Sequence, residues 1–235
     1  MNKTYAFSDI HGNYKLWEQI KNYCDETDTI YFLGDAIDRG PDGIKILNEL
    51  FFDKRVKMIK GNHEDMLATC VPEFIEGTMW NLSWWANNGG SPTWEALEKC
   101  SDDSKMWYVN KIRPLPTHIW YDSPCGHRVF LSHAGTDLRW TEKERAMLID
   151  EPYLWDRKHF HSTHPLSMPN VYQVHGHTPT IFLAEELGLP DEAGAAIIRY
   201  CDRHKIDIDC CTIISNKVAL LDLDTFEPIY FTEKE

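Results

Sequence analysis

The chain has 235 residues, 43% of them hydrophobic and 26% charged, with a formal net charge of −13. That length fits one α/β domain or two small ones and is enough to bury a sizeable core. The acidic balance excludes a general electrostatic affinity for nucleic acid or an anionic membrane, but a local positive site built with metal ions can still bind phosphate.

Thr4-Tyr-Ala-Phe reads as a first strand, ending at Asp9. Asn13 to Cys24 reads as a helix capped by Asn13, with Leu16, Trp17, Ile20 and Tyr23 on one face. Thr29 to Leu33 is a second buried strand, ending at Gly34-Asp35. Pro41 to Phe52 is a second helix, with Pro41 in its first turn. Val56 to Ile59 is a third strand, ending at Gly61-Asn62. This β-α-β-α-β order predicts a parallel sheet segment with right-handed crossovers. Three polar clusters then fall at the carboxyl ends of strands, where open α/β sheets hold their sites.

Residues 64 to 116 read as mostly helical and aromatic, interrupted at Asn87-Asn88-Gly89-Gly90-Ser91-Pro92. Beyond them, Arg128 to Leu131 predicts a strand before His133, and Tyr172-Gln-Val another before His175. Ala195 to Arg199, Thr212-Ile-Ile, Val218 to Leu223 and Pro228 to Thr232 are short β-prone runs, so the second half is expected to form a second sheet packed on the first. No repeat or composition shift divides the chain. The expectation is a single domain over 1–235, with about 64–116 as a helical insertion; the segment 184–204 has no assignable role. Seven cysteines without a C-x-x-C pair fit reduced thiols. With no signal-peptide h-region and no apolar run of membrane-spanning length, a cytoplasmic protein is expected.

Five short runs each set a metal ligand or a phosphate-handling group beside glycine. They are Ser8-Asp9-Ile10-His11-Gly12, Gly34-Asp35-Ala36-Ile37-Asp38-Arg39-Gly40, Gly61-Asn62-His63-Glu64, Ser132-His133-Ala134-Gly135 and His175-Gly176-His177-Thr178-Pro179. Most follow an apolar, β-prone run: a strand delivers a side chain into a crevice and a tight turn lets backbone and ligand approach. In a strand, residues two apart share a face, so Asp9 and His11 can point at one ion. A carboxylate with an imidazole suits Mn, Fe or Zn better than Ca or Mg. Asp35 can bridge two ions with its two oxygens, or is an ordinary turn aspartate. Arg39 can grip phosphate oxygens through its planar fork, or pair with Asp35 or Asp38. Asn62 can offer a carbonyl oxygen to a metal, cap the helix that follows with Glu64 or Asp65 complementing its N-terminus, or do both. His63 can act as a general acid if a carboxylate orients it, and Asp38 is the candidate. His133 and His177 each read alone as core residues or ligands; His175 sits two residues before His177, and either of that pair can be the ligand with the other supporting it. His118, His127, His159, His161, His164 and His204 lack the strand-then-glycine setting and read as surface or core. Together the five runs read as a two-metal centre for hydrolysing phosphate esters.

The ordered set resembles the calcineurin-like metallophosphoesterase superfamily, within its phosphoprotein phosphatase branch, and is similar to bacterial and phage serine/threonine protein phosphatases such as that of bacteriophage lambda. The shared pattern is G-D-x-H-G, G-D-x-x-D-R-G, G-N-H-E, a later His and a final G-H-T-P; here Ser8 replaces the first Gly. The resemblance covers Asp9 to Pro179. It implies an α/β fold (α+β by some schemes), a four-layer αββα sandwich of two mixed sheets flanked by helices. It implies one metal on Asp9, His11 and Asp35 and a second on Asp35, Asn62, His133 and His177, both divalent, with Mn first and an Fe–Zn pair as the alternative. It implies His63 as general acid held by Asp38, Arg39 as a phosphate ligand, and Arg157, in Leu154-Trp155-Asp156-Arg157, as a second one. Pro179, where other branches have a second His, implies that the first metal has fewer protein ligands.

The implied reaction is direct attack of a metal-activated hydroxide on phosphorus. The expected substrate is a phosphorylated protein, at serine or threonine, or a small phosphoester. The alternative is a nucleotide phosphoester such as a diadenosine polyphosphate, for which Trp80, Trp84, Trp85 and Trp94 can stack on a base or simply pack an aromatic core of their own. A catalytically silent phosphate-binding module is the remaining alternative. No membrane and no general nucleic-acid partner is expected.

Overall fold

Strict alternation along short strands sorts the core into layers. The computed structural model describes residues 2–136, 151–157, 170–190 and 195–233. In the first sheet, β1 (Thr4–Phe7), β2 (Thr29–Phe32) and β3 (Val56–Met58) run parallel, with Thr4 beside Thr29 and Ile30 beside Val56. β9 (Lys217–Asp222) and β10 (Pro228–Thr232) extend it antiparallel on the β1 side, giving the order β10-β9-β1-β2-β3. The second sheet has the order β4-β5-β6-β8-β7, from β4 (His118–Asp122), β5 (Arg128–Ser132), β6 (Val171–His175), β8 (Lys205–Asp207) and β7 (Ile198–Tyr200). Its middle strands β5, β6 and β8 are parallel and its edges antiparallel.

Tyr5, Phe7, Ile30 and Phe32 project to one face and pack under helices, Phe7 stacking on Trp17 at 5.7 Å between ring centroids. Ala6, Tyr31 and Leu33 project to the other face and meet Val129, Leu131, Val174 and Ile206 of the second sheet. Phe130 turns to the far side, against Tyr153. This is the period of two in a strand, buried on both faces. The helices over the first sheet are α1 (Tyr14–Tyr23), α2 (Gly43–Phe52), α3 (Asn62–Ile75), α4 (Leu82–Asn87), α5 (Ser91–Glu98) and α6 (Asp102–Ile112). Over the second lie α7 (Glu151–Trp155) and α8 (Thr180–Glu186), with Leu183 and Ala184 against Ile198 and Tyr200. The result is helices, sheet, sheet, helices. The aromatic helical stretch supplies Met66, Leu67, Val71, Trp85, Leu97, Val109 and Ile112 to the same core as α1 and α2.

Three details depart from the sequence expectation. Asp42 precedes the first residue of α2, so Pro41 lies before the helix instead of in its first turn. β4 and β8 went unpredicted. The run Thr212-Ile-Ile, expected to be a strand, is one helical turn, α9 (Thr212–Ser215). Local polar bonds outweigh its β-branched side chains there: Asp209 Oδ1 accepts the Cys211 amide, Cys211 takes a φ of 56°, and its carbonyl accepts the Ile214 and Ser215 amides. Ile213 and Ile214 are exposed, so they gain nothing from a strand's buried face. The seven cysteines are free thiols. Among the described residues no helix is long and apolar enough to cross a membrane.

Candidate metal centre

The ends of β1 and β2 are locked to each other beyond the strands themselves. The amides of Asp9, His11 and Gly12 donate to the carbonyls of Gly34, Asp35 and Ala36 at 3.0, 3.0 and 2.8 Å. Here the chain leaves extended geometry. Asp9, His11, Asp35, Asp38, Arg39 and His177 take φ values of 51°, 43°, 66°, 69°, 65° and 71°. Asp9 and His11 therefore do not share the face of a strand, as their spacing suggested; left-handed turns aim them instead. Each such residue costs on the order of 1–3 kcal/mol, and such strain gathers where geometry serves a site.

Glu64 is the clamp of this region. Its carboxylate accepts the Gly61 amide at 2.9 Å and the Asp35 and Ala36 amides at 2.8 Å each. Burial pushes Glu64 up to about 7, against the pull of those three donors. Gly61 precedes the first residue of α3, which leaves the Asn62 side chain unused as a cap and pointing into the centre. A Cβ on Gly61 would lie 2.2 Å from Asp35 Oδ1 and 2.6 Å from Asp35 N. Gly61→Ala is therefore expected to displace the Asp35 carboxylate, lower stability by about 1–3 kcal/mol and weaken metal uptake, read by thermal melting and metal analysis. Unchanged uptake would mean that the neighbouring backbone yields at no cost to the site. Gly176 plays the same part on the other side, where a Cβ would meet Asp9 Oδ2 at 2.1 Å.

Two carboxylate–imidazole trios meet at Asp35 among the described residues: His11, Asp35 and His63, and Asp35, His133 and His177. Asp35 Oδ2 lies 3.6 Å from His11 Nε2 and 3.7 Å from His63 Nε2, while Oδ1 lies 3.4 Å from His133 Nε2. Asn62 Oδ1 is 2.7 Å from His133 Nε2 and 3.0 Å from His177 Nδ1. Asp9 stands beside them, its Oδ2 accepting the His177 amide at 3.1 Å.

The tautomers follow from fixed acceptors. His11 Nδ1 lies 2.9 Å from Ile37 O and His133 Nδ1 lies 2.8 Å from Leu33 O, so each Nδ1 carries the proton and each Nε2 presents a lone pair inward. Burial holds both rings neutral, reinforced at His11 by His63 and Arg39. Burial, then the charges of Asp9 and Glu64, push Asp35 well above the usual carboxylate range. Lone pairs facing inward and crowded buried carboxylates form a donor set that a cation fits, because positive charge resolves both. The Arg39 guanidinium, 2.9 Å from His11 Nε2 and 3.1 Å from His63 Nε2, is itself a cation placed against those lone pairs.

His63 Nδ1 sits 2.6 Å from Asp38 Oδ2, so Asp38 fixes the ring. Asp38 is held in turn. Its Oδ2 accepts the Trp85 indole N–H at 2.8 Å, and its amide donates to Thr93 Oγ1 at 2.9 Å. Burial raises Asp38 to about 7. Burial, then the Arg39 charge, lowers His63 well below the ordinary histidine value.

Every metal-ligand candidate, namely Asp9, His11, Asp35, Asn62, His133 and His177, lies in this one neighbourhood. Arg157 is exposed just after α7, and its charge acts on His133, Asp207 and Asp209. His175 faces into the second sheet, its Nε2 2.7 Å from Tyr200 Oη. His118, His127 and His204 lie in the second sheet or its turns, stacked or packed on aromatic neighbours and remote from the trios; His159, His161 and His164 lie outside the described residues. Sequence reasoning missed Trp85 and Thr93 as the supports of Asp38. It also missed Asp209, a buried carboxylate whose ionisation Asp9 opposes. Nothing local marks them: Trp85 sits in an aromatic run, and Asp209 has no glycine beside it of the kind that marks the other clusters.

The sequence pattern of the calcineurin-like phosphoesterase family matches residues 3–211. The chain is 39% identical over 154 residues to a symmetrical bis(5'-nucleosyl)-tetraphosphatase of Buchnera aphidicola, covering 63% of this chain and 50% of that protein. It is 32% identical over 103 residues to serine/threonine-protein phosphatase 2 of Escherichia coli, covering 40% and 45%. It thus spans about half the length of these curated relatives. A crystal structure of a candidate diadenosine tetraphosphatase shares the fold with a TM-score of 0.61 at 16% identity, over 98% of this chain and 93% of that one. With the family pattern spanning most of its length and the strand-end clusters in one crevice, the chain belongs to the calcineurin-like phosphoesterase family.

Proposed function

We propose that the chain hydrolyses the phosphoanhydride of a dinucleoside polyphosphate at a dinuclear centre. The observation that carries the substrate class is the 39% identity over 154 residues to a symmetrical bis(5'-nucleosyl)-tetraphosphatase. In this reading Asp9, His11 and Asp35 hold one ion, and Asp35, Asn62, His133 and His177 the other; manganese is the first candidate. Two such ions supply Lewis acidity and a nucleophilic water at neutral pH. Arg39 and Arg157 bind the non-bridging oxygens of the phosphate under attack. His63, oriented through Nδ1 by Asp38, directs Nε2 at the leaving oxygen and supplies its proton as the imidazolium, a form that a bound phosphate favours by offsetting the Arg39 charge. Trp85 and Thr93 keep Asp38 in place. The second reading, a protein phosphatase, rests on the 32% identity to the Escherichia coli enzyme.

The test is a side-by-side assay of protein loaded with manganese, zinc or iron on diadenosine tetraphosphate and on a phosphoserine peptide. A kcat/KM at least about tenfold higher for the dinucleotide is expected, a gap of about 1.4 kcal/mol in transition-state binding. The reverse ratio assigns the protein-phosphatase reading instead. Turnover of neither substrate with any of the metals leaves only a silent phosphate-binding module.

A further inference from the structure

The aromatic run on α4 divides by direction. Trp85 is 1% exposed and bonds Asp38, and Trp94 packs on Phe74 at 4.2 Å and Trp85 at 6.4 Å between ring centroids. Trp94, on α5, packs the aromatic core, and Trp85 both packs in it and supports Asp38. Trp84, next in chain to Trp85, is 38% exposed and points the other way. Its ring lies 5.7 Å from Trp155, tilted by 35°, and Trp155 lies 5.9 Å from the ring of His177. Two ring-to-ring steps thus lead from a candidate metal ligand to the surface, on a helix whose position the Trp85–Asp38 bond ties to the same centre. An exposed tryptophan gains little from the core and offers a flat apolar face to whatever enters.

We infer that Trp84, backed by Trp155, is a stacking ledge for the purine or pyrimidine base of a nucleotide whose 5'-phosphate lies at the metal centre. The chemistry favours a base. The chain's net charge of −13 gives a polyanion no long-range attraction, so short-range stacking has to supply affinity beyond the phosphate contacts. Stacking also tolerates any base, since each has a π face. As a choice of substrate the inference rests on the nucleotide reading above, but it is tested apart from turnover.

The experiment is calorimetric titration of the manganese-loaded full chain with AMP and, separately, with ribose 5-phosphate, which carries the same phosphate and sugar without a base. Wild type is expected to bind AMP about 10- to 100-fold more tightly, the worth of one stacked base. Trp84→Ala is expected to erase most of that preference while leaving ribose 5-phosphate binding within about twofold, and Trp84→Phe to keep part of it. Trp84→Leu, apolar but without a ring plane, replaces the alanine variant if that one melts early, and carries the same expectation. Equal affinities in wild type, or a preference that survives in the alanine or leucine variant, would overturn the ledge. Loss of both ligands together in the variants would also overturn it, since that marks a structural role. The two ideas fail separately. Dinucleotide turnover without an AMP preference removes the ledge alone; an AMP preference without dinucleotide turnover removes the proposed reaction alone.

Discussion

Asp35→Asn is expected to lower phosphoester hydrolysis by at least about 10³-fold on every substrate, because both trios lose their shared charge at once. Oδ2 of Asp35 faces His11 and His63 while Oδ1 faces His133 and accepts the His63 amide at 3.1 Å. An amide of the same shape keeps one acceptor, turns the other into a donor and removes a negative charge from between two cation sites. Several kcal/mol of transition-state stabilisation depend on cations held there, and each 1.36 kcal/mol is tenfold in rate. Bound metal is expected to fall from about two ions per chain to one or fewer by elemental analysis. The metal-free protein should behave oppositely. Burial and the neighbouring charges of Asp9 and Glu64 oppose ionisation of Asp35, so at neutral pH its charged form costs stability that asparagine does not. The melting temperature of metal-free Asp35→Asn is therefore expected to equal or exceed that of metal-free wild type. A variant with full metal content and near-normal turnover would remove Asp35 from the bridge.

His63→Ala is expected to separate substrates by their leaving groups. With an alkyl phosphate, the departing alkoxide needs a proton as the P–O bond breaks, and a positioned acid contributes about 10²–10⁴-fold. With 4-nitrophenyl phosphate the leaving oxygen is a weak base, and the loss should stay below about tenfold. A nucleoside polyphosphate leaving group belongs nearer the aryl ester, so a dinucleotide should also be affected less than the alkyl ester. The 2.6 Å contact with Asp38 predicts that Asp38→Asn follows the same order with smaller losses. Equal losses for alkyl and aryl esters would assign His63 to positioning or metal binding, for which its 3.7 Å approach to Asp35 Oδ2 is the structural basis. The pairing with Arg39 makes a second point: Arg39 Nη2 stands 3.1 Å from His63 Nε2 and its charge opposes protonation of the ring, so a phosphate that engages Arg39 offsets that charge and favours the imidazolium the acid role requires.

Much of the framework could be read from the chain itself because its signals are local. The β1-α1-β2-α2-β3 order came from apolar runs closed by glycine, and Asn13 caps α1 by accepting the Leu16 amide, as its position before the helix suggested. Where such signals compete, local reading failed. Thr212-Ile-Ile has strand-forming residues, yet Asp209 and the left-handed Cys211 close it into a turn. Lys205-Ile-Asp has charged ends, yet it forms a fully buried strand, because it lies between its hairpin partner β7 and β6, which comes from a more distant segment.

The same division runs through the site. The order and residues of the five runs carried the resemblance that identified the family and named the residues expected to ligate metal, since each run carries its own glycine and its own donor. Only the tertiary structure decided how those donors face one another. Left-handed turns, not strand pleating, aim Asp9, His11 and Asp35. Glu64 is a backbone clamp, Trp85 holds Asp38, and Trp84 turns outward toward Trp155. The physical reason is that a residue's type and local turn are encoded within a few positions, whereas its partner is set by packing between layers. No spacing rule links Trp85 to Asp38 or Trp155 to His177: each pair meets because a helix packs beside the turn at the carboxyl end of a strand far from it in sequence.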